Sequence, residues 1–401
     1  MSDRRSRLRA AALVASGALA LTACQAGEAV PGVSGAGSDE TSTPSAASEP
    51  VRVTTSVKRG ASGVPVDREV SVTATGGTIS GVKMTSTNGP VRGELASDGS
   101  GWTASDRLEP GTSYTLKTTA EGSDGRSVTK TSTFSTQDLS LDQQTYPSVA
   151  PLDGETVGVG MPVIVTFDLP VTDQAEFEKH MSVTAKPAQP GTWHWISSNE
   201  AHWRPKSYWQ AGTDVHVDVD INSLDAGNGI YGQESRELDF EVGDAHVYKV
   251  NAKTHQMQVF NNGKLLRTIP ITTGKPGFTT RSGTKVIIEK FDVKRMNSET
   301  VGIPAGSSEA YDIDDVQWAM RVTYSGEFIH AAPWSVGSQG QANVSHGCTG
   351  LSVSDAGWLY AMSRRGDVVE YTGTDRPMTL DNGYGDWNES FKKYQQGSAL
   401  S

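Results

Sequence analysis

The sequence predicts a mainly β protein: two tandem immunoglobulin-like β-sandwich modules, then a third β domain that carries the chemistry, then a short helical tail. Three observations carry this. Short alternating runs such as Val70-Ser71-Val72-Thr73 and Tyr114-Thr115-Leu116-Lys117 are broken by Gly-Gly, Asn-Gly and Asp-Gly turns. No stretch of useful length has helical period between Val51 and about Ser140. Finally, Trp102 stands nine residues before Gly111-Thr112, and Trp203 stands nine before Gly212-Thr213, an echo at an offset of 101, the length of one such sandwich.

The elements follow in chain order. Residues 1–23 join Arg4, Arg5, Arg7 and Arg9 to an uncharged apolar run from Ala10 to Ala23, which is too short to span a bilayer and reads as a secretory signal peptide. That run ends in Leu21-Thr22-Ala23-Cys24, which resembles the lipobox of bacterial lipoproteins, so Cys24 is the expected lipidation site and the expected location is the outer face of the cell membrane. Residues 24–50 are mostly Ala, Gly, Ser, Thr and Pro and read as a flexible tether. Module 1 is placed at 51–140 and module 2 at 141–245. Neither contains Cys, so their cores must rest on packing alone. Trp193 and Trp195 alternate on one strand and are expected to face the core rather than to form a sugar-stacking surface. His194 and His202 lack a third ligand at recognisable spacing, so no metal is expected.

Charge narrows the partners. Against 46 Asp+Glu there are 35 Lys+Arg, a net charge of −11, which lacks the basic excess of a nucleic-acid binder. Only 2 Cys exist, so no disulfide framework staples the fold.

With Cys24 assigned to lipid, Cys348 has no partner in the chain. It lies in Ser345-His346-Gly347-Cys348-Thr349-Gly350, a setting of hydroxyls, His and Gly that suits a reactive loop thiol more than a packed core. A thiol nucleophile needs a base, and two histidines qualify. His346 is two residues away. His330 ends the apolar run Phe328-Ile329-His330, and the segment between it and Cys348 is longer than most connections. A hairpin is expected at Asn261-Asn262-Gly263, and an irregular stretch from about Met296 to Tyr311.

Across 246–372 the sequence resembles the L,D-transpeptidase family (YkuD-type catalytic domain), whose signature is a His, a loop of this length, then Ser/Thr-His-Gly-Cys. With a lipobox and two immunoglobulin-like modules, it is similar to the multi-domain enzymes of mycobacteria and related actinobacteria. The resemblance implies that Cys348 attacks a peptidoglycan stem tetrapeptide, releases D-Ala and forms a thioester, which the amine of a second stem resolves into a 3→3 cross-link. It implies His330 as base, Gly347 and Cys348 N–H groups as oxyanion hole, and Ser345, His346 and Ala331 as site-shaping residues, Ala331 acting on His330 through its carbonyl. It places Met296, Tyr311, Trp334 and Gly350 at lid and pocket positions, although Gly350 has no side chain where the family commonly carries Asn or Arg. Carbapenem-type β-lactams are the implied inhibitors, and no cofactor is implied. Two alternatives stay open: an L,D-carboxypeptidase that resolves the thioester with water, and a non-catalytic wall-binding lipoprotein. In the tail, 373–401, Trp387, Phe391 and Tyr394 follow i, i+4, i+7 spacing and predict one short amphipathic helix docked on the folded body.

Overall fold

The computed structural model describes residues 50–401; the expected signal segment, Cys24 and all but the last residue of the expected tether lie outside them. No helix among the described residues is long and apolar enough to cross a membrane.

The first sandwich packs the four-stranded sheet that contains Ser71–Thr75 and Gly101–Ala104 against one built on the hairpin Ser113–Gly122 and Ser127–Ser135. Alternation in Ser113–Gly122 sends Tyr114, Leu116 and Ala120 inward, where they meet Trp102 and Phe134. The second sandwich repeats the plan with Val163–Phe167 and Glu200–Pro205 in one sheet and Asp214–Val219 and Arg236–Val242 in the other. The tryptophan echo has a structural counterpart: Gly93 pairs with Ala104 and Gly191 with Pro205, each opposite the residue two beyond its tryptophan. A Cβ at either glycine would collide with the ring of Trp102 or Trp203, so each sandwich lays its tryptophan across a glycine of the adjacent strand. Trp193 and Trp195 are buried in the core, their indole N–H groups donating to the Met181 carbonyl at 3.1 Å and to Glu178 Oε2 at 3.0 Å.

The third body has two sheets. One orders Lys264–Pro270, Gln256–Asn261, His246–Asn251, Val368–Thr372 and Gly283–Val286; the other orders Glu289–Asn297, Asp312–Arg321, Phe328–Ala331 and Thr349–Leu351. Asn262 and Gly263 both adopt positive φ, as a two-residue hairpin turn requires. Phe328–Ala331 is buried at every residue and pairs in parallel with Thr349–Leu351, which sets His330 opposite Gly350. Ser352 then caps the helix Val353–Met362, its hydroxyl accepting from Asp355 N–H at 3.1 Å.

The tail corrects one expectation. Instead of a single helix it forms a 3-10 turn, Asp386–Asn388, and a separate α-turn, Phe391–Tyr394. Asn388 breaks the helix by pairing with the strand edge: its side chain accepts from Thr284 N–H at 2.8 Å and donates to Thr284 O at 2.7 Å. Trp387, Phe391 and Tyr394 still converge, because all three rings pack on the buried Arg204 guanidinium at 4.7, 5.5 and 4.3 Å.

Candidate active site

Of the site residues expected in this domain, all but Ala331 and Gly347 line one cavity, and those two adjoin its lining in the chain. It encloses about 300 Å³ and is lined by Met296, Tyr311, His330, Trp334, Ser345, His346, Cys348 and Gly350, with Thr272, Ile313, Ala332, Ser335 and Val344. Met296 stands next to the end of the strand Glu289–Asn297, opposite Ile313, and Tyr311 just before Asp312–Arg321, so these three side chains, at the two ends of the irregular segment, form one wall. The segment after His330 forms the other. Thr272 and Thr273 hold it: Thr272 Oγ1 donates to Ala342 O at 2.8 Å and accepts from Val344 N–H at 3.0 Å, while Ser345 N–H donates to Thr273 O at 3.1 Å.

His330 is buried, and its Nδ1 lies 2.7 Å from the Ala331 carbonyl. A carbonyl only accepts, so the proton sits on Nδ1 and Nε2 keeps its lone pair. Burial lowers the pKa of His330 from its ordinary value, which favours the neutral ring and outweighs the opposing pull of the Ala331 carbonyl. Cys348 is half-buried and free of any disulfide, with Sγ 3.7 Å from Gly326 O. Its protein surroundings push the thiol up to about 11, burial outweighing the Phe328 N–H that favours the thiolate. At neutral pH the pair is therefore thiol and imidazole, not a preformed ion pair.

Gly347 departs from its expected part. Its φ of 127° suits glycine, but its N–H is already taken by Ser345 Oγ at 3.1 Å, and that hydroxyl donates in turn to Cys348 O at 2.6 Å. Cys348 N–H donates to no acceptor among the described residues and is the free backbone donor at the nucleophile. Gly350 has a steric reason to lack a side chain: a Cβ there would stand 2.9 Å from Ala332 Cβ and 3.0 Å from Thr272 Cγ2. Trp334 is exposed at the rim, its ring 5.9 Å from that of His330.

His346 is tied to the lid. Its Nε2 lies 2.7 Å from Glu309 Oε2, which Lys275 also contacts at 2.5 Å, and its ring packs on Tyr311 at 5.1 Å and on Phe278 at 4.6 Å. Hydrogen bonds from Lys275 and His346 hold the Glu309 carboxyl below its usual range. With Nε2 engaged on a carboxylate, His346 is less suited than His330 to take the thiol proton. Sequence reasoning missed Glu309, Lys275 and Thr272, since no motif or spacing links them to Cys348. It also missed the group formed by the buried Lys285 and Glu327 with the part-buried Arg281, behind the nucleophile loop. Among the described residues, no group of three His, Cys, Asp or Glu side chains is placed to hold a metal; His202 is instead sandwiched between Asp386 and Glu200, 2.9 Å from each.

Comparisons with known proteins agree with this architecture. A family model described as the L,D-transpeptidase catalytic domain (YkuD) matches residues 245–370, and one described as a bacterial Ig domain matches 61–225, reaching across both sandwiches. The chain is 38% identical over 350 residues to L,D-transpeptidase 2 of Mycobacterium tuberculosis (strain CDC 1551 / Oshkosh), covering 87% of this chain and 85% of that protein. It is 33% identical over 316 residues to L,D-transpeptidase 5 of Mycobacterium tuberculosis (strain ATCC 25618 / H37Rv), covering 77% and 68%. The solved structure of LD transpeptidase LdtMt1 in complex with imipenem superposes with a TM-score of 0.51 at 38% identity, covering 57% of this chain and 99% of that one.

Proposed function

The chain belongs to the L,D-transpeptidase family, and from that premise we propose that it joins peptidoglycan stem peptides by 3→3 cross-links through a thioester on Cys348. The observation that carries this reading is one cavity lined by both Cys348 and His330, with the imidazole proton held on Nδ1 by the Ala331 carbonyl.

In the first half-reaction, Cys348 Sγ attacks the carbonyl of the third residue of a donor tetrapeptide as its proton passes to His330 Nε2. With the thiol raised and the imidazole neutral, proton transfer accompanies attack. Cys348 N–H meets the developing oxyanion. The C–N bond to D-Ala breaks, and the proton on His330 goes to the departing amine. In the second half, the side-chain amine of an acceptor stem attacks the thioester, His330 takes the surplus proton and returns it to sulfur, and the new amide leaves with the thiol restored. His346, Glu309 and Tyr311 hold the lid wall against the acyl group.

Incubating purified protein with a disaccharide tetrapeptide and resolving products by mass tests this. Cross-linked dimers with released D-Ala are expected, and Cys348→Ala should make none. Tripeptides alone would favour the carboxypeptidase, and unchanged substrate the wall-binding protein. His330→Ala should slow acylation by about 10²- to 10⁴-fold. The same reading places the enzyme at the outer face of the cell membrane through acylated Cys24, so Cys24→Ala should release it into the medium.

A further inference from the structure

Behind the nucleophile loop lies a group of charges that the steps above do not use. Lys285 and Glu327 are buried, and Lys285 Nζ is ion-paired with Glu327 Oε2. The other oxygen of the carboxylate, Oε1, accepts from Arg281 Nη1 at 3.0 Å and from Arg281 N–H at 3.1 Å. Two cations therefore share one carboxylate.

This group touches the nucleophile loop from several sides. Glu327 directly follows Gly326, whose carbonyl receives the Cys348 thiol. Glu327 Cγ lies 3.7 Å from where a Cβ of Gly347 would stand. Lys285 Nζ sits 3.7 Å above the Tyr371 ring, and the Tyr371 hydroxyl is 2.7 Å from Thr349 Oγ1, the residue after Cys348. Thr280 Oγ1, beside Arg281, donates to Gly347 O at 2.7 Å. The remaining charged or titratable groups around Cys348 are His330, His346 and Tyr311 in the cavity and Arg321 on the neighbouring strand.

Burying an ion pair is costly, and well-packed apolar groups would avoid that cost. The two buried charges act on the sulfur in opposite senses: Lys285 favours a negative sulfur, and Glu327 opposes it more strongly. We propose that Arg281, Glu327 and Lys285 form a positioning cluster that sets the reactivity of the Cys348 thiol, Lys285 favouring the thiolate as acyl transfer begins and Glu327 restraining it. Lys285 supplies the attraction, Glu327 holds it in place and tempers it, and Arg281 anchors Glu327 with two hydrogen bonds. Burial pulls Lys285 down to about 8 even with Glu327 beside it, the cost of holding this charge ready.

The inference rests on Cys348 being the nucleophile, but its test reads the thiol alone. Iodoacetamide alkylation of the full-length protein, followed by mass across a pH series, reports the midpoint at which Cys348 becomes reactive. Lys285→Met should move that midpoint up and Glu327→Gln should move it down, each by about one pH unit, or about tenfold in rate at fixed pH. Lys285→Arg should restore the wild-type midpoint. Opposite shifts from two substitutions in one ion pair are a signature that mere loss of packing does not produce. Unmoved midpoints, or shifts in the same direction, would overturn the proposal. Should either buried variant fail to fold, Arg281→Gln, at the edge of the cluster, decides instead: a smaller upward shift supports it and none refutes it.

Discussion

Where the first sandwich meets the second, the contact is an exposed fork of charges; where the second meets the catalytic body, it is shared core. At the first junction the Arg107 guanidinium reaches Asp220 at 3.0 and 3.2 Å, and Asn222 donates to Glu109 at 2.8 Å, beside a polar groove of about 690 Å³. No residue of the first sandwich joins the core of the second. At the other junction Val286, Ile288, Val368 and Tyr384 pack into the core of the second sandwich. Backbone meets backbone there, Gly158 N–H donating to Arg365 O and Gly160 N–H to Gly366 O, both at 2.8 Å, and a Cβ on Gly158 would strike Asp367. The tail closes this seam, with Trp387 donating to Gly160 O at 2.8 Å. Two modules of similar architecture thus serve differently. The second is part of the catalytic body, and the first is an appendage held by polar contacts.

Breaking the seam should have the largest effect. Asp386 is buried, accepts from Tyr394 at 2.7 Å and pairs with His202, so Asp386→Ala takes one of two carboxylates from a buried imidazolium and the acceptor from Tyr394. The expected loss is about 3 to 5 kcal/mol, roughly 10 °C in Tm for a body of this size, read by calorimetry. Loss confined to the first sandwich would contradict the shared core.

The same contact sets a pH dependence. Burial opposes charge on His202, but Asp386 and Glu200 outweigh it and hold the group up to about 9 against an ordinary 6.5. Its contribution is complete below pH 6.5 and is lost as pH rises through 9. Asp386 runs the other way: burial opposes its charge, His202 outweighs that, and its contribution is lost on acidification below the ordinary 3.8. Tm should therefore fall between pH 6.5 and 9, and Asp386→Asn should flatten that slope. An equal slope in the variant would count against the pair.

Effects at the first junction should be far smaller. Arg107→Ala is expected to cost under about 1 kcal/mol, with acylation unchanged, yet small-angle scattering should show a larger radius of gyration as the first sandwich swings free. Smallest of all, deleting residues 51–140 should leave the acylation rate of the remaining body within about twofold, since no residue of the first sandwich lines the cavity. A large loss of rate would make that sandwich part of the site.

Much of this was legible in the sequence because it depends on local spacing. Alternation gave the strands, Trp102 and Trp203 marked the repeated sandwiches, and His330 with Ser345 to Cys348 marked the cavity. What stayed hidden depends on distant contacts. Glu309 meets His346 through the lid, Lys285 meets Glu327 across two sheets, and Asn388 leaves its helix for a bond with Thr284 that no helical pattern announces. Gly350 looked like a missing ligand; only the packing of Ala332 and Thr272 explains its bare backbone.

The central claim, that Cys348 is the acylated nucleophile of this cavity, is tested most directly by the intact mass of the protein after incubation with imipenem. Opening the lactam C–N bond of imipenem by acyl transfer keeps both halves of the ring joined, so wild type should gain the full mass of the drug, and Cys348→Ala should gain nothing. An adduct that persists in Cys348→Ala, or none on wild type, would contradict it.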